Sequence, residues 1–310
     1  MNDLATKAME VLRTIPLFSS RNVENARIAR LGGLTNLVFR VDIGGASYCL
    51  RIPGSGTEEY INRANEEQAA RQAAKANVSP QVVHFDSVTG IMVTDFVKDA
   101  VTMSADLFKT RKGAPARAGR AFRKLHDSGS HFPFRFELFK MIDDYLKVLS
   151  AKDVAFPEGY RDALREAEQV RAALNVRPLP ILACHCDPLC ENFLDSGERM
   201  WIVDWEYSGM NDPMWDLGDL AVEGAFDPDQ EAEMVHAYFG GNPSASETGR
   251  IVIYKAMCDL LWTLWGLIQF ANENPVDDFW AYSLNRFARC KALMADPSFE
   301  GHVAAVRRSA

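Results

Sequence analysis

Apolar and polar positions alternate with two different periods along this chain. Residues 1–18 carry Asp3, Lys7, Glu10 and Arg13 at intervals among apolar side chains, the spacing of an amphipathic helix. Residues 37–43 and 47–52 are apolar-rich runs joined by Gly44-Gly45, a pair that tolerates positive φ, and they predict a β-hairpin. Ser55 with Glu58 offers a capping box, and the segment from there to Ala76 is rich in Ala, Glu, Gln and Arg, which predicts a helix ended by Asn77 and Pro80. Residues 81–85 and 91–97, separated by 86–90, predict a second hairpin from β-branched and apolar residues. From about Met103 onward the period becomes helical, with Ala118, Phe122 and Leu125 on one face of a helix ending near His126. The exception is residues 181–204, where Phe193-Leu194 and residues 200–203 flank the turn residues Asp195-Ser196-Gly197. The helices beyond Pro228 read as a capping bundle. The boundary falls near Asp99, giving a sheet-rich region at 1–99 and a helical region at 100–310.

Composition adds limits. The 310 residues suffice for two regions with a cleft between them, and 47% hydrophobic with 25% charged residues is ordinary globular composition. A formal net charge of −8 opposes binding to nucleic acid or an anionic membrane. Residues 1–18 lack the uninterrupted apolar core of a secretory signal, and the most apolar stretch, 257–271, contains Asp259 and Gln269 and is too short to span a bilayer. No membrane insertion and a cytoplasmic location are therefore expected. Of six cysteines, Cys184, Cys186 and Cys190 crowd around His185. Zinc sites usually draw on two separated ligand pairs, so buried free thiols are the expectation here.

The candidate chemistry sits in His185-Cys186-Asp187-Pro188-Leu189-Cys190-Glu191-Asn192, with Asp204 at the far end of the expected hairpin. Phosphoryl transfer needs a base near the attacking hydroxyl and hard oxygen ligands for a metal on the nucleotide phosphates. Asp187 suits the first role, and Asn192 with Asp204, brought close by the hairpin, suits the second. By itself His-x-Asp-x4-Asn is common, and its bland alternative is a turn aspartate with a hairpin-capping asparagine. Upstream, Gly32, Gly33, Thr35 and Asn36 lie between two apparent strands, where small residues let backbone N–H groups approach phosphate oxygens. A glycine pair alone is usually only a turn. Arg51 is the candidate cation on the next strand, and Glu66, or its neighbour Glu67, the candidate partner.

The loop resembles that of the eukaryotic-like kinase superfamily, with His185-Cys186-Asp187 for His-Arg-Asp and Asp204-Trp205-Glu206 for Asp-Phe-Gly. Gly32-Gly33-Leu34-Thr35-Asn36, Leu50-Arg51-Ile52-Pro53-Gly54, Ile61-Asn62-Arg63 with Asn65-Glu66, and Ile202-Val203-Asp204-Trp205-Glu206-Tyr207 together resemble bacterial choline and ethanolamine kinases. The resemblance implies an α+β, two-lobed protein-kinase-like fold, with an antiparallel sheet in the N-lobe and a mainly helical C-lobe. It also implies ATP and Mg2+ as cofactors and a small amino alcohol as substrate. Residue by residue, the catalytic roles fall on Asp187, Asn192 and Asp204.

Residues 262–269 look like the tryptophan helix of choline kinases, whose rings and carboxylates enclose a trimethylammonium group. A quaternary ammonium donates no hydrogen bonds, so it is recognised by ring faces and negative charge. Trp262 and Trp265 share a helix face; without the resemblance, that spacing is more often core packing. The family pattern adds Tyr207, Glu223 and Tyr282 to the cage and puts Glu206 near the magnesium end. Phe226 is the candidate extra ring, because Pro228 cannot stack.

Rival readings are a same-fold kinase for thiamine or an aminoglycoside, which would not need the tryptophan pair, and a nucleotide-binding pseudokinase, disfavoured because the three catalytic positions are kept. A protein kinase is disfavoured because residues 212–216 follow Asp204 almost at once, leaving no room for an activation segment. Asp216 there is expected to hydrogen-bond the catalytic-loop backbone.

Overall fold

Helix α1 (Asp3–Thr14) opens the chain in a computed structural model that describes residues 3–32, 36–54, 57 and 61–308. Its buried Ala8, Met9 and Leu12 cover one face of a sheet built from β1 (Arg27–Gly32), β2 (Leu37–Ile43) and β3 (Ala46–Ile52), then, after helix α2 (Arg63–Lys75), β4 (Val82–Phe85) and β5 (Met92–Asp95). All neighbours are antiparallel, in the order β1-β2-β3-β5-β4. The β2–β3 turn forms at Gly44 and Gly45, with φ of +59° and +79°, values that a β-carbon would penalise and that match the twist of a tight hairpin. Alternation along β3 sends Tyr48, Leu50 and Ile52 into the α1 core. Cys49 and Arg51 are thereby left on the opposite face.

Helix α2 starts later than the Ser55 and Glu58 pairing suggests; those two residues lie outside the described ones. Asn62 is its N-cap instead, its side chain accepting from the N–H groups of Ala64 and Asn65 at 3.1 Å each. Buried Ala69, Ala70 and Ala73 let α2 lie close to its neighbours, and they join the larger of two apolar cores.

That larger core is mostly helical. After β6 (Val101–Thr102) come α3 (Ala105–Thr110), α4 (Ala114–His126), α5 (Leu138–Ser150) and α6 (Tyr160–Val176). Then β7 (Leu182–Cys184), the hairpin β8 (Phe193–Asp195) and β9 (Met200–Ile202), and β10 (Gly209–Asn211) interrupt the helices. The chain ends with α7 (Met214–Glu223), α8 (Pro228–Phe239), α9 (Ala245–Ala271), α10 (Phe279–Met294) and α11 (Phe299–Arg308). β6 adds to the β8–β9 hairpin, and β7 pairs antiparallel with β10. Asp195, expected in the turn, is instead the buried last residue of β8. It takes two hydrogen bonds from Arg117 and one from Arg111, all 2.7 Å, which fasten the hairpin to the helices.

Helix α9 is longer than its most apolar stretch. Ser244 and Glu247 form a reciprocal capping box at its start, and by length and composition alone it would cross a bilayer. Instead 83% of its apolar window is buried, against α5, α6, α7, α10 and α11. The cysteines are free thiols, all buried except the half-buried Cys49.

Candidate active site

The segment after β7 owes its shape to one buried carboxylate. Asp216, in the first turn of α7, accepts from the N–H of His185 at 2.8 Å and of Cys186 at 2.9 Å, and lies 3.0 Å from Nε2 of His126. Cys186 has a φ of +69°, rare for a residue with a side chain. It is held there from several directions: Trp215 Nε1 donates to its carbonyl at 3.1 Å, and Ser208 Oγ donates to the His185 carbonyl at 3.0 Å. The next residue is Asp187, half-buried. Asn192 Nδ2 donates to the Asp187 carbonyl at 3.0 Å, so the asparagine ties the loop to β8.

The hairpin register pairs Phe193 with Ile202, and the Val203 N–H donates to the Asn192 carbonyl at 2.9 Å. Asn192 and Asp204 are thus neighbours across the hairpin mouth. Asp204 has a φ of +67°. The adjoining Trp205 is fully buried, edge-on to the His185 ring at 4.9 Å, with its indole N–H on Ser79 Oγ at 3.0 Å.

Arg51 reaches this group from β3. Its Nη1 donates to Asp204 Oδ1 at 3.1 Å, its Nη2 donates to the Gly90 carbonyl at 3.2 Å, and it forms an ion pair with the buried Glu66. Glu67 instead pairs with Arg71 at the surface. Arg63, to which the sequence reading gave no role, bridges Glu66 at 2.7 Å and Glu206 at 3.2 Å. Its signal was present in the three-residue spacing from Glu66 on one helix face. Gly90 is required: a β-carbon there would lie 2.7 Å from Arg63 Nε, and its φ is +74°. Burial and then Asp204 push the Glu206 carboxyl upward, opposed by Arg51. Glu206 therefore sits with the Arg51 group and not with the rings. Gly32 ends β1, and Asn36 is buried with Oδ1 accepting from the Gly54 N–H at 3.3 Å. Gly33 and Thr35 lie outside the described residues.

Four rings form a chain of edge-to-face contacts. Tyr207 meets Trp262 at 5.5 Å, Trp262 meets Trp265 at 6.5 Å, and Trp265 meets Tyr282 at 5.7 Å. Gly266 allows the last contact, since a β-carbon there would lie 2.6 Å from the Tyr282 ring. Phe226 packs on Phe108, 5.2 Å between centroids. Glu223 accepts from both terminal nitrogens of Arg286, which also lies over the Tyr282 ring at 4.9 Å. Asp259 binds Arg289 and Arg286. Arg286 and Asp219 are further residues that sequence reasoning missed. The first is four residues beyond Tyr282 and the second four before Glu223, each on its neighbour's helix face.

Asp187 feels both groups. Burial, reinforced by Asp204, Glu223 and Glu206, raises its carboxyl well above the usual carboxylate range, with Arg286 opposing. The arrangement sets the Asp187 carboxyl within electrostatic reach of Asp204 and Glu206 and also of Glu223, Arg286 and Tyr282.

Three comparisons bear on this geometry. The model of the phosphotransferase enzyme family matches residues 27–248. A crystal structure of a choline/ethanolamine kinase family protein from Mesorhizobium loti is 64% identical over 98% of this chain and 99% of that one, with a TM-score of 0.91. Choline kinase LicA from Streptococcus pneumoniae has a TM-score of 0.77 at 26% identity, covering 93% of this chain and 99% of its own. A probable ethanolamine kinase of Arabidopsis thaliana is 24% identical over 294 residues, 84% of this chain and 77% of that protein.

Proposed function

Since the chain belongs to the phosphotransferase enzyme family, in its choline/ethanolamine kinase branch, and is a small-molecule kinase for an amino alcohol, we propose that it transfers the γ-phosphoryl group of ATP to the hydroxyl of choline, with ethanolamine as a second acceptor. The observation that carries this reading is the run of rings Tyr207, Trp262, Trp265 and Tyr282, whose last member is close enough to Asp187 to feel its charge. Ring faces attract a quaternary ammonium by roughly 0.5–2 kcal/mol each, without needing the hydrogen bonds that choline cannot make.

In this reading Asp187 orients the acceptor hydroxyl and takes its proton as the oxygen bonds to the γ-phosphorus and the bond from that phosphorus to the β–γ bridging oxygen breaks, releasing ADP. Asn192 and Asp204 would hold Mg2+. The fit is supported by their donor atoms: the Asn192 side-chain nitrogen Nδ2 is committed to the Asp187 carbonyl, so its side-chain oxygen Oδ1 is left without a partner among the described residues, as is Oδ2 of Asp204. Both are hard oxygens suited to magnesium. When bound, the ion neutralises phosphate charge as the transfer proceeds. Arg51, anchored by Glu66, is the residue we assign to the nucleotide phosphates, with Gly32 and Asn36 beside them. We place the boundary between the nucleotide-holding and acceptor-holding regions near Asp99.

The test is ADP release measured across choline, ethanolamine, thiamine and an aminoglycoside. Turnover should be fastest with choline, then ethanolamine, and Asp187→Ala should lower it about 100-fold or more while ATP still binds. Turnover of thiamine or the aminoglycoside alone would refute the acceptor assignment.

A further inference from the structure

Asp219 and Glu223 stand one helical turn apart on α7, and their charges are met differently. Glu223 takes both terminal nitrogens of Arg286 and lies 3.9 Å from Arg289. Asp259 on α9 takes Arg289 and a share of Arg286. Among the described residues Asp219 has only the Cys258 thiol, with Sγ 2.8 Å from Oδ1, while its Oδ2 is buried with no hydrogen-bond partner. Three carboxylates therefore share two guanidiniums, and the surplus falls on Asp219. A buried carboxylate left unpaired is among the costliest groups a fold can hold, so it marks a place where a cation is expected to come.

The location says which cation. The ligand atoms of Asp219, Glu223 and Cys258 lie within 4.8 Å of one another. Cys258 precedes Trp262 by one turn of α9, and Asp187 is near enough to act on the Asp219 charge. Burial first, then Glu223 and Asp187, drive the Asp219 carboxyl well above the usual range, against the Cys258 hydrogen bond and Arg286, so its ionised form is disfavoured until a cation arrives beside it.

We propose that Asp219 is the residue that selects a cationic acceptor: its carboxyl, to which no guanidinium is hydrogen-bonded among the described residues, answers the arriving cation with negative charge behind the ring wall, and Glu223, bound by Arg286, serves as the scaffold of that wall. The inference rests on the amino-alcohol reading above. A fixed ammonium donates no hydrogen bond, so its discrimination from a neutral molecule of equal shape depends on rings and on charge acting through a poorly screened interior.

Asp219→Asn keeps the shape and removes the charge. The measurement is kcat/KM for choline against that for 3,3-dimethylbutan-1-ol, its uncharged isostere, with the KM for ATP taken alongside. The preference for choline should fall about tenfold or more, chiefly through KM, with the ATP value unchanged. Unfolding in urea should show the variant as stable as the wild type or more so, because a buried acid with an unpartnered oxygen has left the interior. An unchanged preference, or equal losses on both alcohols, overturns the proposal. So does a variant that is destabilised or fails to fold, since that makes the carboxylate part of the scaffold. Wild-type protein active on choline with an unaltered preference in Asp219→Asn sinks this inference alone; wild-type protein inert toward choline and ethanolamine sinks the amino-alcohol reading and this inference with it.

Discussion

Replacing Asp216 should cost both stability and turnover, in proportions that its contacts allow to be worked out. Its carboxylate accepts from two backbone N–H groups, at 2.8 and 2.9 Å, and faces the His126 ring nitrogen at 3.0 Å, all buried. Hydrogen bonds to a charged group contribute about 1.5–3 kcal/mol, and a buried donor left unpaired costs about 1–3 kcal/mol. Asp216→Asn keeps the shape but turns an NH2 toward one of these donors, a loss of about 2–3 kcal/mol. Asp216→Ala strands all three donors and should cost about 3–6 kcal/mol, out of a total stability of about 5–15 kcal/mol for a typical domain. The loop held in this way includes Cys186 at a φ of +69°, strain of order 1–3 kcal/mol that relaxes once its anchor is gone. Asp187 is the next residue, and a displacement of about 1 Å at a reacting group lowers turnover by roughly 100-fold. Asp216→Asn should therefore show a lower urea midpoint and a kcat reduced by about that factor. The KM for ATP should hardly move, because Arg51 and Glu66 are anchored on other elements. An Asp216→Asn protein with the wild-type midpoint and undiminished kcat would show that Trp215 and Ser208 hold the loop unaided, and the reasoning would fail.

Asp204→Asn should sharply raise the magnesium concentration needed for half-maximal rate, because a hard cation loses a charged oxygen; a magnesium titration that does not move contradicts the metal assignment. Trp265→Ala should raise the KM for choline several-fold, from about 1–2 kcal/mol for a desolvated ring contact, and spare the KM for ATP. Parallel loss of ATP affinity would make the ring core packing only. Burial works to raise the Asp195 carboxyl, but hydrogen bonds from Arg117, Arg111 and the Gly197 N–H outweigh it and hold it at about 2. An unfolded aspartate titrates near 3.9, so the unfolded chain binds more protons between these values, and the stabilisation is full above about pH 4 and lost as pH falls toward 2. The stability gap between wild type and Asp195→Asn should accordingly be wide at pH 6 and narrow at pH 3; a gap of constant width would refute this.

Local chemistry made the two N-terminal hairpins legible, because a glycine pair at Gly44-Gly45 and alternating apolar runs leave few other solutions. Helix α4 and the β8–β9 hairpin follow from period and turn residues in the same way. The start of α2 did not, since Asn62 competes with an earlier capping pattern only through its own local geometry. At the site, the neighbourhood of Asp187, Asn192 and Asp204 was visible because one hairpin brings them together. The charge pairs were not. Arg63 meets Glu206 across 143 positions, and Arg286 meets Glu223 across 63, separations at which no spacing rule operates. Asp195 was misplaced for the same reason: its neighbours look like a turn, while the arginines that bury it come from α4 and the end of α3.

Helix α9 carries Trp262 and Trp265 and is also packed against five other described helices. Amides in such an element exchange with solvent only when most of the molecule opens, so this wall of the pocket should be among the last parts to exchange deuterium. In the reading proposed above, acceptor entry and product release would then fall to the elements around α9, while the tryptophans stay still. Variation that reshapes specificity without loss of fold should accordingly accumulate on α7 and α10, where a side chain can change its reach without unseating the beam behind it.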